Sequence, residues 1–306
     1  MKYFNKIIKS TLWASILVFG LTGPITALAA TPVNLATAGN FVILAGSTVT
    51  NVPTSTITGN VGLSPASGSF YSGLTAGEVT GSIYAVNGAG PAGSINNPGL
   101  LTIAKNDLTA AYLDAEARTP TTTFVAGDNQ LGGQTLTPGV YRFPSAATAN
   151  ITAANPLKLD AQNNPSAVFI LQATSDLVTA AGSVVQLING AQACNVYWQV
   201  DSSATLGSNS TFVGNIMALT SATLTTGANV TGRVMARNGA VTMQSNTVTR
   251  SVCAAATSTT TNNSAPKFPN TGTEPTGSLV LWQLSLLASV IAAAGVFAIA
   301  RRKHVI

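Results

Sequence analysis

Between residues 31 and 253, apolar and polar side chains alternate in short segments, and turn-forming residues separate one segment from the next. Alternation with a period of two predicts short β-strands, because successive side chains of a strand point to opposite faces. An octet with glycine at its fourth position recurs at 56–63, 78–85, 211–218 and 229–236. Within each neighbouring pair of copies the period is about 20 residues, which is typical of one coil of a β-solenoid.

The segment from 222 to 236 illustrates how a coil would be built. Ala222 and Leu224 in its first strand, and Val230 and Val234 in its last, alternate with polar neighbours and would point inwards. The glycine of the octet would turn the corner between strands, because it adopts backbone angles that other residues avoid. The pattern predicts an all-β fold, a parallel β-helix of roughly triangular section whose interior stacks Val, Leu, Ile and Ala.

One stretch departs from this pattern, because its apolar residues recur at helical spacing. Residues 98–118 are predicted to form an amphipathic α-helix. Its apolar positions are Leu101, Ala104, Leu108, Ala111 and Tyr112. The seventh position of the octet points outwards and could provide an apolar surface for this helix. It is occupied by Gly62, Tyr84, Met217 and Met235. The helix is expected to cover one face of the solenoid and to leave the other two free.

The N-terminal segment 1–30 has the organisation of a secretory signal peptide. Three lysines precede an apolar run from Leu12 to Leu21, and Ala27-Leu28-Ala29 has the small-x-small pattern of a signal peptidase site. An uncleaved anchor helix is the alternative, but the run is shorter than the roughly 20 residues of a membrane span, and Gly23-Pro24 breaks it. Residues 1–30 are therefore predicted to be removed by signal peptidase during export.

The chain beyond residue 253 has the organisation of a surface anchor. Residues 254–278 are rich in Thr, Asn, Ser and Pro and are predicted to be a disordered spacer. Residues 279–300 carry no charge and are long enough to span a bilayer. The basic tail 301–306 follows at once. A transmembrane helix is therefore predicted over 279–300, with the tail in the cytoplasm.

One pentapeptide of the spacer resembles the LPxTG sorting signal of Gram-positive cell-wall proteins. It consists of Phe268, Pro269, Asn270, Thr271 and Gly272. The resemblance implies that a sortase cysteine attacks the Thr271 carbonyl, that Gly272 leaves, and that Thr271 is joined to peptidoglycan. Phe268 departs from the usual Leu, so a plain membrane anchor is the alternative to covalent attachment to the wall.

The net charge of +5 arises at the two ends of the chain. Six of the 14 basic residues lie within 1–9 and 301–303, whereas the other eight lie between 31 and 267 together with eight of the nine acids. The central region is therefore about neutral and lacks the basic face that nucleic-acid binding needs. The single histidine, His304, lies in the tail, so neither a His-based triad nor a zinc cluster is predicted outside the cell. No enzymatic activity, metal or cofactor is expected.

Cys194 and Cys253 are the only two cysteines, and export favours their pairing in a disulfide. The repeat places Cys194 in the same column as Val248, three coils or about 14 Å away. The tail after Thr249 could fold back over this distance, since four extended residues span about 13 Å. A disulfide is therefore predicted, and two separate thiols are the alternative.

Six further segments of the repeat region are informative: Leu136–Tyr141, Leu159–Ala161, Cys194–Gly207, Gly214–Ala218, Thr226–Arg233 and Ala236–Thr242. Together they resemble the microbial ice-binding protein family. The resemblance covers residues 33 to about 253 and implies a discontinuous right-handed β-solenoid with a long helix alongside. It also implies that the partner is ice, with another extended surface as the alternative, and the protein is expected to be monomeric.

The bacterial members of that family carry a Thr-Ala/Gly-x-Thr/Asn motif at a corner of the solenoid. Thr226–Asn229 matches this motif fully, Thr75–Glu78 matches until its last residue, and Ser208–Thr211 is a looser variant. With their outward neighbours, the residues predicted to bind ice are Thr56, Thr58, Thr75, Thr80, Ser208, Thr211, Thr226, Asn229, Thr231 and Thr247. Glu78 is expected to place a hydrated charge on this surface and thereby to weaken its contact with ice.

Two other functions remain open at this point. The same scaffold would suit an adhesin for a polysaccharide or another surface, or a wall spacer without a ligand. Tyr197 and Trp198 would suit a sugar platform, but alternation places Trp198 inwards. The leading prediction is a cell-surface-anchored protein that binds ice, or else another extended surface, through a Thr-rich face.

Overall fold

The structure, a computed structural model, describes residues 30–125, 131–143, 147–148 and 151–254. Apart from Ala30 and Ala254, the predicted signal peptide, spacer, sorting motif, transmembrane helix and basic tail lie outside these residues. None of the helices within the described ranges combines the length and the hydropathy that a membrane span requires.

The alternating segments form short strands, as their pattern predicts. The strands are β1 Phe41–Ala45, β2 Val49–Val52, β3 Thr56–Thr58, β4 Asn60–Leu63, β5 Tyr71–Ser72, β6 Val79–Thr80, β7 Ile83–Ala85, β8 Ile95–Asn96, β9 Thr122–Thr123, β10 Thr135–Leu136, β11 Gly139–Phe143, β12 Ala147–Thr148, β13 Leu157–Asp160, β14 Phe169–Ala173, β15 Leu177–Val178, β16 Val185–Ile188, β17 Val196–Val200, β18 Ala204–Leu206, β19 Thr211–Ala218, β20 Ala222–Leu224, β21 Asn229–Ala236, β22 Val241–Gln244 and β23 Thr247–Thr249. The helices are α1 Pro98–Ala117 and the 3-10 helices Ala36–Asn40, Gly68–Phe70, Ala76–Glu78 and Ala193–Asn195.

The strands form the three faces of the solenoid, and the strands within each face are parallel. The chain passes from one face to the next within each coil. The first face consists, in order, of β8, β7, β4, β1, β21, β19, β17, β14, β11 and β9. The second face consists of β12, β15, β18, β20, β22, β2 and β5. The third face consists of β10, β13 and β16, the first halves of β19 and β21, and then β23, β3 and β6. A single bridge between Val184 and Thr211 joins the two parts of the third face.

The strands β19 and β21 each run from the third face onto the first, and the octet glycine makes the bend. Gly214 has a φ of +112°, which L-residues with a side chain rarely adopt. A Cβ on Gly232 would clash with the backbone of Gly214 in the adjacent coil. Glycine is therefore required at this corner both by its backbone angle and by the close stacking of the coils.

The first strand of the described chain, β1, lies in the middle of the stack. Strand β1 pairs with β4 on one side and on the other with β21, which lies about 190 residues later in the chain. From β1 the coils run to the end of the stack at β8, and after α1 they resume at β9 at the opposite end and wind back to β21. The coils before α1 thus stack on the coils after it. The predicted mainly-β fold with parallel sheets and one long helix is confirmed.

Asn97 caps the N-terminus of α1: its side chain accepts a hydrogen bond from the backbone N–H of Leu100 (3.0 Å), and Pro98 occupies the first turn of the helix. Its buried residues are Leu101, Ala104, Leu108, Ala111, Tyr112 and Ala115. They pack on the first face, where Tyr84, Met217 and Met235 form part of the bed. A Cβ on Gly62 would lie 2.8 Å from Leu101, so the missing side chain lets the helix approach closely.

The interior is a continuous apolar stack in which Trp198 is 1% exposed. Its indole N–H donates a hydrogen bond to the Val213 carbonyl (2.9 Å), and its ring lies 4.8 Å from that of Phe212. At the C-terminal end, the chain leaves β23 and returns to the start of β17, where Cys253 is disulfide-bonded to Cys194 with a Cα–Cα distance of 5.3 Å. The end of the described chain is thereby fastened to the middle of the stack.

Candidate functional site

Seven of the ten residues predicted to bind ice lie on the third face, in two adjacent outward columns. Strand register aligns Thr211, Asn229, Thr247 and Thr56 in one column. It aligns Thr231, Thr249, Thr58 and Thr80 in the other. Thr249 was not among the predicted residues, although its position beside the inward Val248 is a signal that could have identified it.

The remaining three predicted residues, Thr75, Ser208 and Thr226, lie at the corner between the second and third faces. Backbone hydrogen bonds stack these corners on one another: the Asn209 N–H donates to the Thr226 carbonyl (2.9 Å), and the Gly227 N–H donates to the Gln244 carbonyl (3.1 Å). Thr75 and Thr226 are exposed, whereas Ser208 is half-buried. The corner therefore forms a ridge that borders both free faces.

Glu78 does not point outwards, and the expectation that it would charge this surface is wrong. Its side chain turns into the corner and is only 9% exposed. One carboxylate oxygen accepts hydrogen bonds from the Asn51 side chain (2.8 Å) and the Ser55 N–H (2.9 Å). The other accepts from the N–H and the hydroxyl of Thr75 (3.0 Å each). These four hydrogen-bond donors replace the water molecules that would hydrate an exposed carboxylate.

The electrostatics of Glu78 follow from this geometry. Burial alone would raise the pKa of Glu78, because it disfavours the charged form. The hydrogen bonds donated by the backbone of Ser55 and Thr75, and by the side chains of Asn51 and Thr75, outweigh this effect and hold the pKa below its usual value. The carboxylate is therefore ionised at neutral pH and acts as an internal brace of the corner.

The network of Glu78 continues into the neighbouring coil. The Ser55 hydroxyl donates to the Asn51 side chain (2.7 Å) and accepts from the Asn246 N–H (3.0 Å). The Asn246 amide in turn donates to the carbonyls of Thr225 (2.8 Å) and Ala228 (3.0 Å). All three side chains of Asn51, Ser55 and Asn246 are at most 3% exposed. Buried and satisfied polar groups of this kind hold a corner rigid.

The regular part of the third face has definite limits. Val213 occupies the column position next to Thr231 and is 8% exposed, so the row of threonine hydroxyls ends there. Beyond the bridge, β13 carries Lys158 and Asp160 at its half-exposed positions. Arg250 follows directly after β23. Charged side chains therefore flank the threonine columns of this face.

A further row of threonines lies on the second face and was not singled out from the sequence. Register aligns Thr205, Thr223, Thr242 and Thr50 on four consecutive strands, with Ser72 next in line. Each of these threonines is half-buried, because the row stands between neighbouring side chains of one continuous sheet. The signal was present in the repeated Ala-Thr-Leu of β18 and β20, whose middle residue points outwards.

The chemistry that these faces offer is a set of hydroxyl and methyl groups at fixed spacing. Adjacent coils repeat at about 4.8 Å, and outward residues two apart along a strand are separated by roughly 6.6 Å. The seven strands of the second face contain no Asp, Glu, Lys, Arg or His. Within the described ranges, no cluster of three or more His, Cys, Asp or Glu side chains is suited to hold a metal ion.

Comparison with known proteins agrees with this architecture. A family model described as Ice-binding-like matches residues 43–249. An ice-binding protein of Flavobacterium frigoris (strain PS1) is 41% identical over 217 residues, which is 71% of this chain and 76% of the relative. An ice-binding protein of Nostoc sp. (strain HG1) is 42% identical over 215 residues, which is 70% of this chain and 72% of the relative.

Solved structures lead to the same family. The crystal structure of an ice-binding protein from an Antarctic biological consortium has a TM-score of 0.65 to this chain at 39% identity. The match covers 75% of this chain and 96% of that one. Since the family model alone spans more than half of the sequence, this chain belongs to the Ice-binding-like family.

Proposed function

We propose that this protein binds ice through the threonine row of the second face and the corner that borders it. The observation that supports this most directly is the register of Thr205, Thr223, Thr242 and Thr50, which repeats one side chain on four consecutive strands. Membership of the Ice-binding-like family supports ice as the ligand. The corner residues Thr75, Ser208 and Thr226 extend this surface.

A rigid periodic row suits a crystalline ligand for two physical reasons. Threonine has few rotamers, and a half-buried threonine on a strand has fewer, so little conformational entropy is lost when it contacts ice. Each threonine also presents a methyl group beside a hydroxyl, so the surface orders water without holding it by charge. The braced corner around Glu78 keeps neighbouring coils in fixed register.

The second and third faces meet at an angle, so a single flat ice surface cannot rest on both. Two features favour the second face. It is one uninterrupted sheet, whereas the third face consists of two parts joined by one bridge. Its strands contain no charged residue, whereas β13 of the third face contains Lys158 and Asp160. The predicted third-face residues Thr56, Thr58, Thr80, Thr211, Asn229, Thr231 and Thr247 remain the competing site.

We also infer that the domain is displayed on the cell surface. The support is in the sequence alone: the signal-peptide-like residues 1–30, the apolar run 279–300, and Phe268–Gly272 before it. Mass spectrometry of wall digests tests this directly. A fragment that ends at Thr271 and carries a cell-wall peptide would establish sortase attachment. Recovery of an intact C-terminus in the membrane fraction would favour the plain anchor.

Ice binding itself is tested by thermal hysteresis and by the shape of ice crystals grown in the purified protein. Faceted crystals and a gap between melting and freezing points are expected. Round, unfaceted crystals at high protein concentration would overturn the proposal. The adhesin hypothesis, with a polysaccharide as ligand, would then be tested in its place.

A further inference from the structure

A cleft of about 320 Å³ lies beside the third face, where the chain leaves β23. Its walls include Asn40, Thr58, Asn60, Thr80 and Arg250. It is therefore at a different edge of the solenoid from the threonine row of the second face. A volume of this size is at the lower end of the range of pockets that take small organic ligands.

The cleft adjoins two guanidinium groups that share one backbone oxygen. The Nε and Nη2 atoms of Arg233 donate to the carbonyl of Gly39 (3.0 and 2.9 Å), and Nη1 of Arg250 reaches the same oxygen at 3.4 Å. Nη1 of Arg233 donates to the side chain of Asn215 (2.8 Å). All these acceptors are neutral.

No counter-ion balances the two arginines among the described residues. The ion pair found there, Arg118 with Asp114, involves neither of them. Arg233 is 8% exposed, and burial together with the charge of Arg250 lowers the pKa of Arg233 to about 10. Two like charges that are close and partly desolvated repel each other, so an anion next to Arg250 would be bound favourably.

The rest of the wall offers groups suited to hydroxyl ligands. The side chains of Thr58 and Thr80 are exposed, and so is Asn40. Asn60 forms a fixed part of the wall, because its amide donates to the Asn40 carbonyl (3.1 Å) and its side-chain oxygen accepts from the Ser82 N–H (3.0 Å). The cleft thus combines one half-buried positive charge, on Arg250, with several neutral hydrogen-bonding groups.

We propose that this cleft binds an acidic saccharide, with the guanidinium of Arg250 on a carboxylate or sulfate group and with Thr58, Thr80 and Asn40 on sugar hydroxyls. Arginine pairs with either oxyanion through a planar fork of donors. A nucleic acid is a poorer fit, because a run of phosphates needs several cations along its path and the wall of the cleft contains one. The proposal does not depend on ice binding.

The test uses the full chain in a non-ionic detergent and isothermal titration calorimetry at low ionic strength. The probes are trigalacturonate, a sulfated heparin disaccharide, neutral maltotriose and sodium sulfate. Binding of one or both acidic saccharides, weaker at higher salt, is expected, and maltotriose should not bind. The acidic probe that binds more tightly identifies the oxyanion.

The variants separate the cleft from general electrostatics. Arg250→Gln should weaken binding at least tenfold, and Thr58→Val, which keeps the charge and the shape, should weaken it about threefold. Lys158→Gln removes the same charge from the same face outside the cleft and should have no effect. Equal losses in Arg250→Gln and Lys158→Gln, or no binding of either acidic saccharide, would overturn the proposal. Sodium sulfate binding as tightly as the saccharides would overturn the assignment of a sugar ligand.

Discussion

The carboxylate of Glu78 lies 2.8 Å from the side-chain nitrogen of Asn51, which belongs to the adjacent coil of the stack. The pair joins two coils at the corner between the second and third faces. It also removes the charge of Glu78 from the surface, so the corner presents the neutral side chain of Thr75 instead. A departure from the family motif thus contributes to the stability of the fold and leaves the outer surface uncharged.

Replacing Glu78 with Gln should destabilise the fold at neutral pH by about 2 kcal/mol, since hydrogen bonds to an ionised group contribute roughly 1.5–3 kcal/mol. The pKa of Glu78 is lower in the folded than in the unfolded chain. Its contribution is therefore present above the unfolded pKa and is lost as the pH falls through the folded value. Urea unfolding from pH 7 towards pH 2 should show the difference between the two proteins shrinking.

The control for Glu78 is Glu116→Gln, which removes an exposed carboxylate from α1. It should change the free energy of unfolding by less than about 0.5 kcal/mol at neutral pH. A Glu78→Gln protein as stable as the wild type at pH 7 would contradict a bracing role for the corner network.

The two free faces can be distinguished with one matched pair of substitutions on the same coil. Thr223→Tyr places a bulky side chain on the second face, and Thr231→Tyr places it on the third. The first should abolish most of the freezing gap, because the ring holds a flat ice surface away from the row. The second should retain more than half of it. The opposite order, measured by nanolitre osmometry, would assign ice binding to the third face.

Loss of the disulfide should lower the stability of the domain without affecting ice binding. The bond between Cys194 and Cys253 spans a sequence separation of 59 residues. For a loop of this length the chain-entropy model gives about 4 kcal/mol. Cys253→Ser, and the wild type under reducing conditions, should lose similar free energies of unfolding in urea. A freezing gap that falls in parallel at low temperature would indicate that the tail takes part in the ice-binding surface.

The contact between α1 and the first face can be tested at Gly62. A Cβ at this position would lie 2.8 Å from both Leu101 and Phe41, so Gly62→Leu should push the helix outwards and cost about 2 kcal/mol. Gly77→Ala is the control, because a Cβ there meets nothing within 4 Å. Amide exchange in α1 should become faster in the first variant only. Equal exchange in both would show that the helix adapts to a larger side chain.

Local sequence patterns were sufficient to predict those parts of the fold that depend on residues close together in the chain. Alternation predicts the strands, helical spacing predicts α1 almost to its ends, and the octet identifies Tyr84, Met217 and Met235 as the bed of the helix. Each of these inferences rests on the direction of side chains along one element, which the backbone geometry sets by itself.

The site depended on contacts between coils that are distant in sequence. Glu78 turns inwards because Asn51 and Ser55, from the preceding coil, supply donors that an isolated motif does not contain. The threonine row is continuous because Thr50 pairs with Thr242, which is distant in sequence. The two strands are adjacent because the chain returns along α1 to the opposite end of the stack before it forms the later coils. Repetition along the chain therefore predicts a solenoid. Which outward threonines share a face is decided by the three-dimensional order of the coils, because that order differs from their order in the sequence.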